Sequence, residues 1–222
     1  EQGRTPNPDI ICNKEIKFRA FLDYALELGA SKIATGHYAQ IKTTGNNFKL
    51  LRGKDPNKDQ SYFLYRLDQS QVSKSMFPIG TLDKEHVREK ANALGFLNHN
   101  KKDSTGICFI GERNFRKFLK NYFDNQPGEI ISDEGTVIGE HEGLMYYTYG
   151  QRQGLGIGGG HGYIDAPWYV ADKIMSDNRL VAVQGHDHPD LYHSFLTASN
   201  INWISGSSPD ENDIITSKIR YR

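Results

Sequence analysis

The hydrophobic pattern of this chain changes at Pro127-Gly128, and that change limits the folds it can adopt. Before this point, apolar residues recur at helical spacing over 14–28 and 84–94, and Lys32-Ile33-Ala34-Thr35 has the pattern of a short buried strand. After it, β-rich runs alternate with Gly and Asp turns at 129–131, 136–138, 145–147, 168–170 and 180–183. The pattern predicts an α/β region followed by a small antiparallel β unit.

Turn and cap residues mark the ends of the predicted elements. Gly29 and Gly95 follow the two helical segments as C-caps, and Asp83 precedes the second as its N-cap. Residues 39–52 have the pattern of a hairpin. Further helical pieces are predicted within 59–76 and 115–122. The run at 32–35 predicts a strand that ends at Gly36-His37-Tyr38, and open α/β sheets bind ligands beyond such strand ends.

Composition narrows the class of protein. With 27 basic and 27 acidic residues the formal charge is zero, so any RNA contact has to depend on local clusters. No apolar run approaches the roughly 18 residues needed to span a bilayer, and no signal peptide is recognisable. Two cysteines are too few for a secreted disulfide scaffold. The composition predicts a cytoplasmic protein with reactive thiols and no contact with a membrane.

The first cysteine, Cys12, follows the shaped loop Pro6-Asn7-Pro8-Asp9. If a helix has begun by Asp9, the carboxyl group and the thiol share one face, where the carboxylate can exchange a proton with the thiol or with a substrate base. Such surroundings are typical of an exposed thiol whose pKa is tuned. The structural alternative is an Asp helix cap beside a half-buried cysteine.

The second cysteine, Cys108, lies in Asp103-Ser104-Thr105-Gly106-Ile107-Cys108. Gly106 permits a turn, and the positive charges of Lys101 and Lys102 favour a thiolate or a persulfide. The alternative is a cysteine at a strand end beside an ordinary polar turn. Two tuned thiols far apart in sequence suggest a relay that passes sulfur between them.

Three further motifs are candidate binding elements, each with a structural alternative. His37, at a predicted strand end, binds a ligand or is a core histidine. Lys58-Asp59-Gln60 grips phosphate and base edges or caps the helix that follows. Gly150-Gln151-Arg152-Gln153-Gly154 contacts RNA phosphates or forms a solvated turn, and the turn is favoured. No compact ligand spacing predicts a metal site, and no Gly-x-Ser-x-Gly elbow predicts a serine hydrolase.

The chain resembles the tRNA-specific 2-thiouridylases, the MnmA/TrmU family. Seven motifs in one order carry the resemblance. They are 3–9 with Cys12-Asn13, Ala34-Thr35-Gly36-His37-Tyr38, Lys58-Asp59-Gln60-Ser61-Tyr62-Phe63-Leu64, Phe77-Pro78-Ile79-Gly80, 102–112, 150–159 and Pro167-Trp168-Tyr169-Val170. The resemblance covers essentially all 222 residues.

The resemblance implies an α/β plus β architecture. Residues 1–113 would form the C-terminal portion of a PP-loop (adenine nucleotide α-hydrolase-like) catalytic domain. Residues 114–192 would form a small β-rich central domain, and 193–222 the beginning of a truncated C-terminal β-barrel. The family's phosphate-cradling Ser-Gly-Gly-x-Asp-Ser loop is absent from the sequence. We therefore expect a fragment that does not adenylate tRNA on its own.

The resemblance also implies the chemistry, which is ATP-dependent replacement of the 2-oxygen of a tRNA wobble uridine by sulfur. Cys108 would carry a persulfide, Cys12 would attack it as nucleophile, and Asp9 would act as general acid or base. Uracil O2 becomes a leaving group only once it is adenylated, and breaking the persulfide S–S bond requires a second thiol. The Cys12 loop or the Cys108 loop is therefore expected to be mobile.

Site residues and partners follow from the same resemblance. Gly36 would lie near ATP, which would be Mg-dependent and held mainly by a segment absent from this chain. The residues implied to contact tRNA are Asn7, Pro8, Asp9, His37, Lys58, Asp59, Gln60, Arg220 and Tyr221. The sulfur donor would be a sulfur-relay protein or a cysteine desulfurase, and the protein a monomer. Two alternatives stay open, an RNA-binding module with incidental cysteines and a thiol-disulfide oxidoreductase, which the absence of Cys-x-x-Cys disfavours.

Overall fold

A computed structural model describes residues 7–101, 124–157 and 166–218. The described residues divide into two compact units. One, the N-terminal unit, comprises 7–101 with 199–218. The other, the β unit, comprises 124–157 with 166–198. The predicted helix at 115–122 and the motif around Cys108 lie outside the described residues.

The N-terminal unit opens with one uninterrupted helical segment. It begins as α1 (Pro8–Ile11), continues as a π-helix (Cys12–Ala20) and ends as α2 (Phe21–Glu27). Pro8 suits the first helical position because its missing N–H needs no partner there. The Phe21 N–H donates to the Ile16 carbonyl five residues back, which is π-helical bonding. Gly29, with φ of +88°, ends the segment as predicted.

Short strands and turns complete this unit. Strand β1 (Ile33–Ala34) pairs in parallel with β4 (Ser75–Met76). Strands β2 (Ala39–Thr44) and β3 (Asn47–Arg52) form the predicted hairpin. A 3₁₀ turn (Ser61–Leu64) and α3 (Gln69–Ser73) occupy the region predicted to hold helical pieces. Helix α4 (Lys84–Ala93) begins after Asp83 and ends before Gly95, as the cap residues predicted.

The core of the N-terminal unit lies between the π-helix, the hairpin and α3. Its buried members are Phe18, Leu22, Ile33, Ala39, Leu64, Leu67, Val72 and Phe77. Residues 199–204 also attach to this unit, because the Asn202 amide donates to the carbonyls of Tyr65 (2.9 Å) and Leu67 (3.0 Å). Among the described residues of 193–218 there is no strand.

The β unit is a four-stranded sheet with the order β6-β5-β8-β7. Its strands are β5 (Gly128–Ile131), β6 (Val137–His141), β7 (Trp168–Ile174) and β8 (Arg179–Gln184). Two pairs are antiparallel, but β5 and β8 are parallel, so the prediction of a wholly antiparallel unit is wrong. Within the described residues the sheet stays open.

The predicted strand at 145–147 is also wrong, because Leu144–Tyr146 forms a 3₁₀ turn. Leu144, Tyr146 and Tyr147 are all buried in the core of the β unit. A strand would turn Tyr146 and Tyr147 to opposite faces, whereas the turn lets both reach the same core. In the described part of the chain, no helix has the length and hydropathy to cross a membrane.

Candidate active site and RNA-binding surface

Cys12 lies one turn into the helical segment, where α1 passes into the π-helix. Its N–H bonds to the carbonyls of Pro8 and Asp9, so the helix has already begun at Asp9, as the shared-face interpretation requires. The Cys12 side chain is buried, with 6% exposure, and is a free thiol. The sequence surroundings predicted an exposed thiol, and that prediction is wrong, because the side of the helix that carries Cys12 and Asn13 faces the protein interior.

The cap of this helix is Asn7 and not Asp9. The Asn7 Oδ1 accepts a hydrogen bond from the Ile10 N–H at 3.4 Å, and Asn7 has extended backbone geometry. Asp9 lies inside the first turn, half-buried, three residues before Cys12. Its carboxylate is therefore on the helix face that leads to the thiol and does not serve as the N-cap.

Asn13 fastens the Cys12 turn to a distant segment. Its side-chain amide donates to the Phe63 carbonyl at 3.1 Å, across 50 residues of sequence. Asn13 is 3% exposed, and its Oδ1 has no partner among the described residues. The contact joins two of the predicted site segments, the one around Cys12 and the one that begins at Lys58.

Asp59 and Gln60 organise the turn in which they lie. The Asp59 carboxylate accepts hydrogen bonds from the Gly53 N–H (2.9 Å), the Ser61 N–H (3.1 Å) and the Ser61 hydroxyl (3.0 Å). Gln60 exchanges two bonds with Tyr38, its N–H donating to the Tyr38 carbonyl and its Oε1 accepting from the Tyr38 N–H. The N-cap of the 61–64 turn is Gln60, and its side chain makes no cap hydrogen bond. Asp59 instead joins Gly53 to Ser61 through its carboxylate. Lys58 is half-buried beside them.

His37 is buried in an aromatic cluster beyond the end of β1. Its ring centroid lies 5.7 Å from that of Phe18 and 5.9 Å from that of Phe77, and Nδ1 is 2.8 Å from the Thr35 hydroxyl. Burial, with a smaller effect from the charge of Lys17, lowers the pKa of His37 to about 4. The imidazole is therefore neutral at neutral pH. Gly36, immediately before it, is exposed.

A cavity of about 450 Å³ brings the start of the helical segment and the Asp59 turn together. It is lined by Ile10, Arg52, Asp59, Ser61, Tyr62, Tyr65 and Lys218. Cationic and aromatic side chains in one cavity are the combination that binds single-stranded RNA, because phosphates pair with the cations and bases stack on the rings. We call this the Asp59 cavity.

The sequence interpretation missed four residues of the Asp59 cavity, namely Arg52, Tyr62, Tyr65 and Lys218. Arg52 ends β3, and Tyr62 lies inside the family motif 58–64, two residues after Gln60, so their positions in recognised features were the available signal. Tyr62 and Tyr65 also fit the apolar pattern of a helix, so the sequence alone does not distinguish a core position from a position at a surface cavity.

The structure describes some of the other predicted site residues and not others. Cys108, Arg220 and Tyr221 lie outside the described residues. The Gly150–Gly154 motif is a turn joined to β7, since the Gly150 N–H donates to the Val170 carbonyl and the Gln151 carbonyl accepts from the Val170 N–H. The Gln151 Oε1 accepts from the Thr148 N–H and hydroxyl, so this side chain stabilises the turn.

Comparison with known proteins decides the family. A model described as the tRNA methyl transferase HUP domain matches residues 1–112, and one described as the tRNA methyl transferase PRC-barrel domain matches 116–184. Proteins named tRNA-specific 2-thiouridylase MnmA match the whole chain at 59% identity in Hydrogenovibrio crunogenus and in Nitrosomonas eutropha. The chain belongs to the tRNA-specific 2-thiouridylase family. The resemblance seen in the motifs is therefore confirmed.

These 2-thiouridylases are longer than this chain. The chain covers 59% of the Hydrogenovibrio crunogenus protein and 62% of the Nitrosomonas eutropha protein. A third relative, tRNA-specific 2-thiouridylase MnmA 1 of Geobacillus kaustophilus, is 58% identical, and the chain covers 60% of it. The chain thus spans about three fifths of the length of these relatives.

Proposed function

We propose that the protein is a tRNA-uridine 2-sulfurtransferase that replaces the 2-oxygen of a wobble uridine by sulfur. The observation that carries this proposal is the 59% identity, over the whole chain, to proteins named tRNA-specific 2-thiouridylase. The position of Cys12 supports it, because a carboxyl group one helical turn before the thiol can exchange a proton with it.

In this proposal Cys108 carries a persulfide whose terminal sulfur attacks C2 of the uridine. The new C–S bond forms as the activated 2-oxygen leaves with its electron pair. The Cys12 thiolate then attacks the Cys108 sulfur, the persulfide S–S bond breaks, and its electron pair stays on the sulfur now bound to C2. The transferred sulfur is reduced, the two thiols are oxidised to a disulfide, and a thiol reductant restores them.

Asp9 is proposed as the general acid or base of these steps. It lies on the face of the first turn that leads to Cys12. Because the Cys12 side chain is buried, the thiol must become accessible before it reacts. A disulfide requires Cβ atoms about 3.5–4.5 Å apart, so movement of the Cys12 turn or of the Cys108 segment is part of the proposal.

ATP is proposed as the co-substrate whose adenylate makes the 2-oxygen a leaving group. Gly36 suits a place beside a nucleotide, since it is exposed, follows β1, and has no neighbour where a Cβ would lie. The sequence has no Ser-Gly-Gly-x-Asp-Ser loop, which is the phosphate-binding motif of the family. Dependence on Mg²⁺ belongs to the same proposal.

The tRNA is proposed to lie across the start of the helical segment and the Asp59 cavity. Asn7, Pro8 and Asp9 would meet the target base, and Lys58 would contact the phosphates. Arg52, which lines the Asp59 cavity, would add a positive charge in the same unit. Asp59 and Gln60 would act by holding this turn in place, because their side chains are bonded within the protein. His37, Arg220 and Tyr221 are kept as proposed tRNA contacts from the family resemblance.

The proposed domain organisation follows the family. The matched ranges 1–112 and 116–184 support a PP-loop domain over 1–113 and a central domain over 114–192. The assignment of 193–222 to the beginning of a barrel depends on the resemblance alone. A sulfur-relay protein or a cysteine desulfurase as donor, and a monomeric state, are proposed on the same ground.

The deciding experiment is the intact mass of the chain after incubation with a persulfide donor. We expect a gain of one sulfur atom on the peptide that carries Cys108, and none on Cys12. Cys108→Ser should prevent the gain, whereas Cys12→Ser should preserve it. If both variants gain sulfur equally, or if neither does while tRNA still binds, an RNA-binding module with incidental cysteines becomes the better interpretation.

A further inference from the structure

A second cavity lies in the N-terminal unit between the π-helix and α3. Its volume is about 510 Å³, and polar side chains dominate its lining. Four of the lining side chains are cationic, namely Lys14, Arg19, Arg66 and Lys74, against the two carboxylates of Asp23 and Asp68. We call this the Arg66 cavity. Its lining shares no residue with that of the Asp59 cavity.

Two of the four cations are already paired. Glu15 accepts from Arg19 at 2.8 Å and lies 3.2 Å from Lys14 Nζ. These contacts lower the pKa of the Glu15 carboxyl group, mainly through the hydrogen bond from Arg19. The Asp68 carboxylate is engaged elsewhere, because it caps α3 by accepting from the Gln71 N–H at 2.8 Å.

Arg66 and Lys74 are different. Within the part of the chain that the structure describes, neither makes an ion pair or a side-chain hydrogen bond, and the Arg66 Nε is buried with no partner. A guanidinium donor removed from water without an acceptor is unfavourable, and a bound anion would relieve that. The guanidinium fork matches phosphate oxygens, and the ammonium group of Lys74, which lines the same cavity, adds a point charge.

We propose that the Arg66 cavity binds a phosphate group of the substrate RNA backbone, with Arg66 and Lys74 as its ligands. This inference rests on the proposed function for the identity of the RNA and adds a contact that the family motifs do not include. A phosphodiester suits the cavity because four cationic side chains line it against two carboxylates, and the Asp68 carboxylate is already engaged in the cap of α3. Such a contact positions the RNA and carries no sequence information.

The test measures tRNA binding by the chain as a function of salt concentration. Each neutralised phosphate contributes about 0.7–0.9 to the slope of log K against log salt, so Arg66→Gln and Lys74→Gln should each lower the slope by up to about one. Lys49→Gln is the matched control, because Lys49 is exposed on β3 and lines neither cavity. Arg66→Lys should keep the slope, since it keeps the charge.

A second arm uses inorganic phosphate and reads the melting midpoint of the chain against chloride at equal ionic strength. Phosphate should raise the midpoint of the wild-type chain and of Lys49→Gln more than that of Arg66→Gln. If Arg66→Gln loses this response but keeps the tRNA slope, the cavity takes free phosphate and the RNA assignment is overturned. If neither response changes, the whole proposal is overturned.

The two proposals can fail independently, because different measurements test them. The salt slope and the phosphate response need no thiol chemistry, whereas the persulfide mass on Cys108 needs neither Arg66 nor Lys74. Lys74 is exposed, so Lys74→Gln should fold normally and keeps the test usable if Arg66→Gln does not.

Discussion

The two units differ in how completely their buried polar groups are satisfied. Among the described residues, five buried side-chain atoms lack a partner, and four of them lie in the N-terminal unit: Asn13 Oδ1, Tyr38 Oη, Arg66 Nε and Arg88 Nε. In the β unit the one such atom is His141 Nδ1. Unsatisfied polar atoms are costly, and two of the four belong to the proposed sites, since Asn13 follows Cys12 and Arg66 lines the Arg66 cavity. The comparison is consistent with the proposed placement of function in the N-terminal unit.

The largest expected effect is on activity in the N-terminal unit. When this chain replaces the matching region of the Hydrogenovibrio crunogenus 2-thiouridylase, Cys12→Ser should reduce tRNA thiolation by at least about 10³-fold, because the persulfide loses its attacking thiol. Thiolated tRNA is measured by mass spectrometry of nucleosides. Lys49→Gln is the control, and full activity of Cys12→Ser would remove Cys12 from the mechanism.

The next effect is on the stability of the β unit. Leu180 is completely buried on β8, so Leu180→Ala should lower the free energy of unfolding by about 2–5 kcal/mol. Leu196→Ala in the same unit removes the same atoms from a side chain that is 62% exposed and should change it by less than about 0.5 kcal/mol. Amide hydrogen exchange in each unit makes the measurement. Equal effects of both variants would contradict the assigned core.

Acid sensitivity should appear in the N-terminal unit through His37. Its folded pKa of about 4 lies below the unfolded value of 6.5, so the unfolded chain binds the extra proton. The stability from keeping His37 neutral is complete above pH 6.5 and is lost as the pH falls towards 4, up to about 3 kcal/mol.

Hydrogen exchange at pH 7, 5.5 and 4.5 makes this measurement, and His37→Gln should flatten the dependence in the N-terminal unit. His141 has a lowered pKa because of burial, so the β unit should respond with the same sign. If the stability of the N-terminal unit depends on pH equally with and without His37, other titratable groups cause the acid sensitivity.

The smallest effect concerns an ion pair on the surface of the β unit. The Arg179 Nε lies 3.0 Å from Glu129, and each side chain is 45% exposed. Glu129→Gln should lower the free energy of unfolding by less than about 0.5 kcal/mol, because solvent screens such a pair. Denaturant titration with the double variant Glu129→Gln, Arg179→Gln tests this. A coupling free energy between Glu129 and Arg179 above about 1 kcal/mol would mean that this surface ion pair contributes substantially to the stability of the unit.

The sequence predicted correctly those elements that depend only on residues close together in the chain, namely helix ends and a hairpin. Gly29 and Gly95 end helices because only their backbone adopts positive φ there easily, and the hairpin at 39–52 follows from alternation around a tight turn. The family followed from long motifs. These features need no knowledge of distant contacts.

Other features depend on residues far apart in sequence and could not be predicted in this way. The burial of Cys12 accompanies an interior-facing Asn13 bonded to Phe63, and the parallel pairing of β5 with β8 joins strands about fifty residues apart. The Arg66 cavity forms only when α3 packs against the π-helix. Burial of His37 between two phenylalanine rings was the structural alternative that the sequence left open.

The π-helical stretch Cys12–Ala20 has a consequence for how the thiol and the core can evolve. Hydrogen bonding to the fifth residue back turns the chain by a smaller angle per residue than an α-helix does. The angular offset between Cys12 and the fully enclosed Phe18 therefore depends on that bonding. Deleting one residue between them would rotate the Cys12 side chain about the helix axis and away from the protein interior. We therefore expect the number of residues between Cys12 and Phe18 to tolerate change far less than the identities of the side chains.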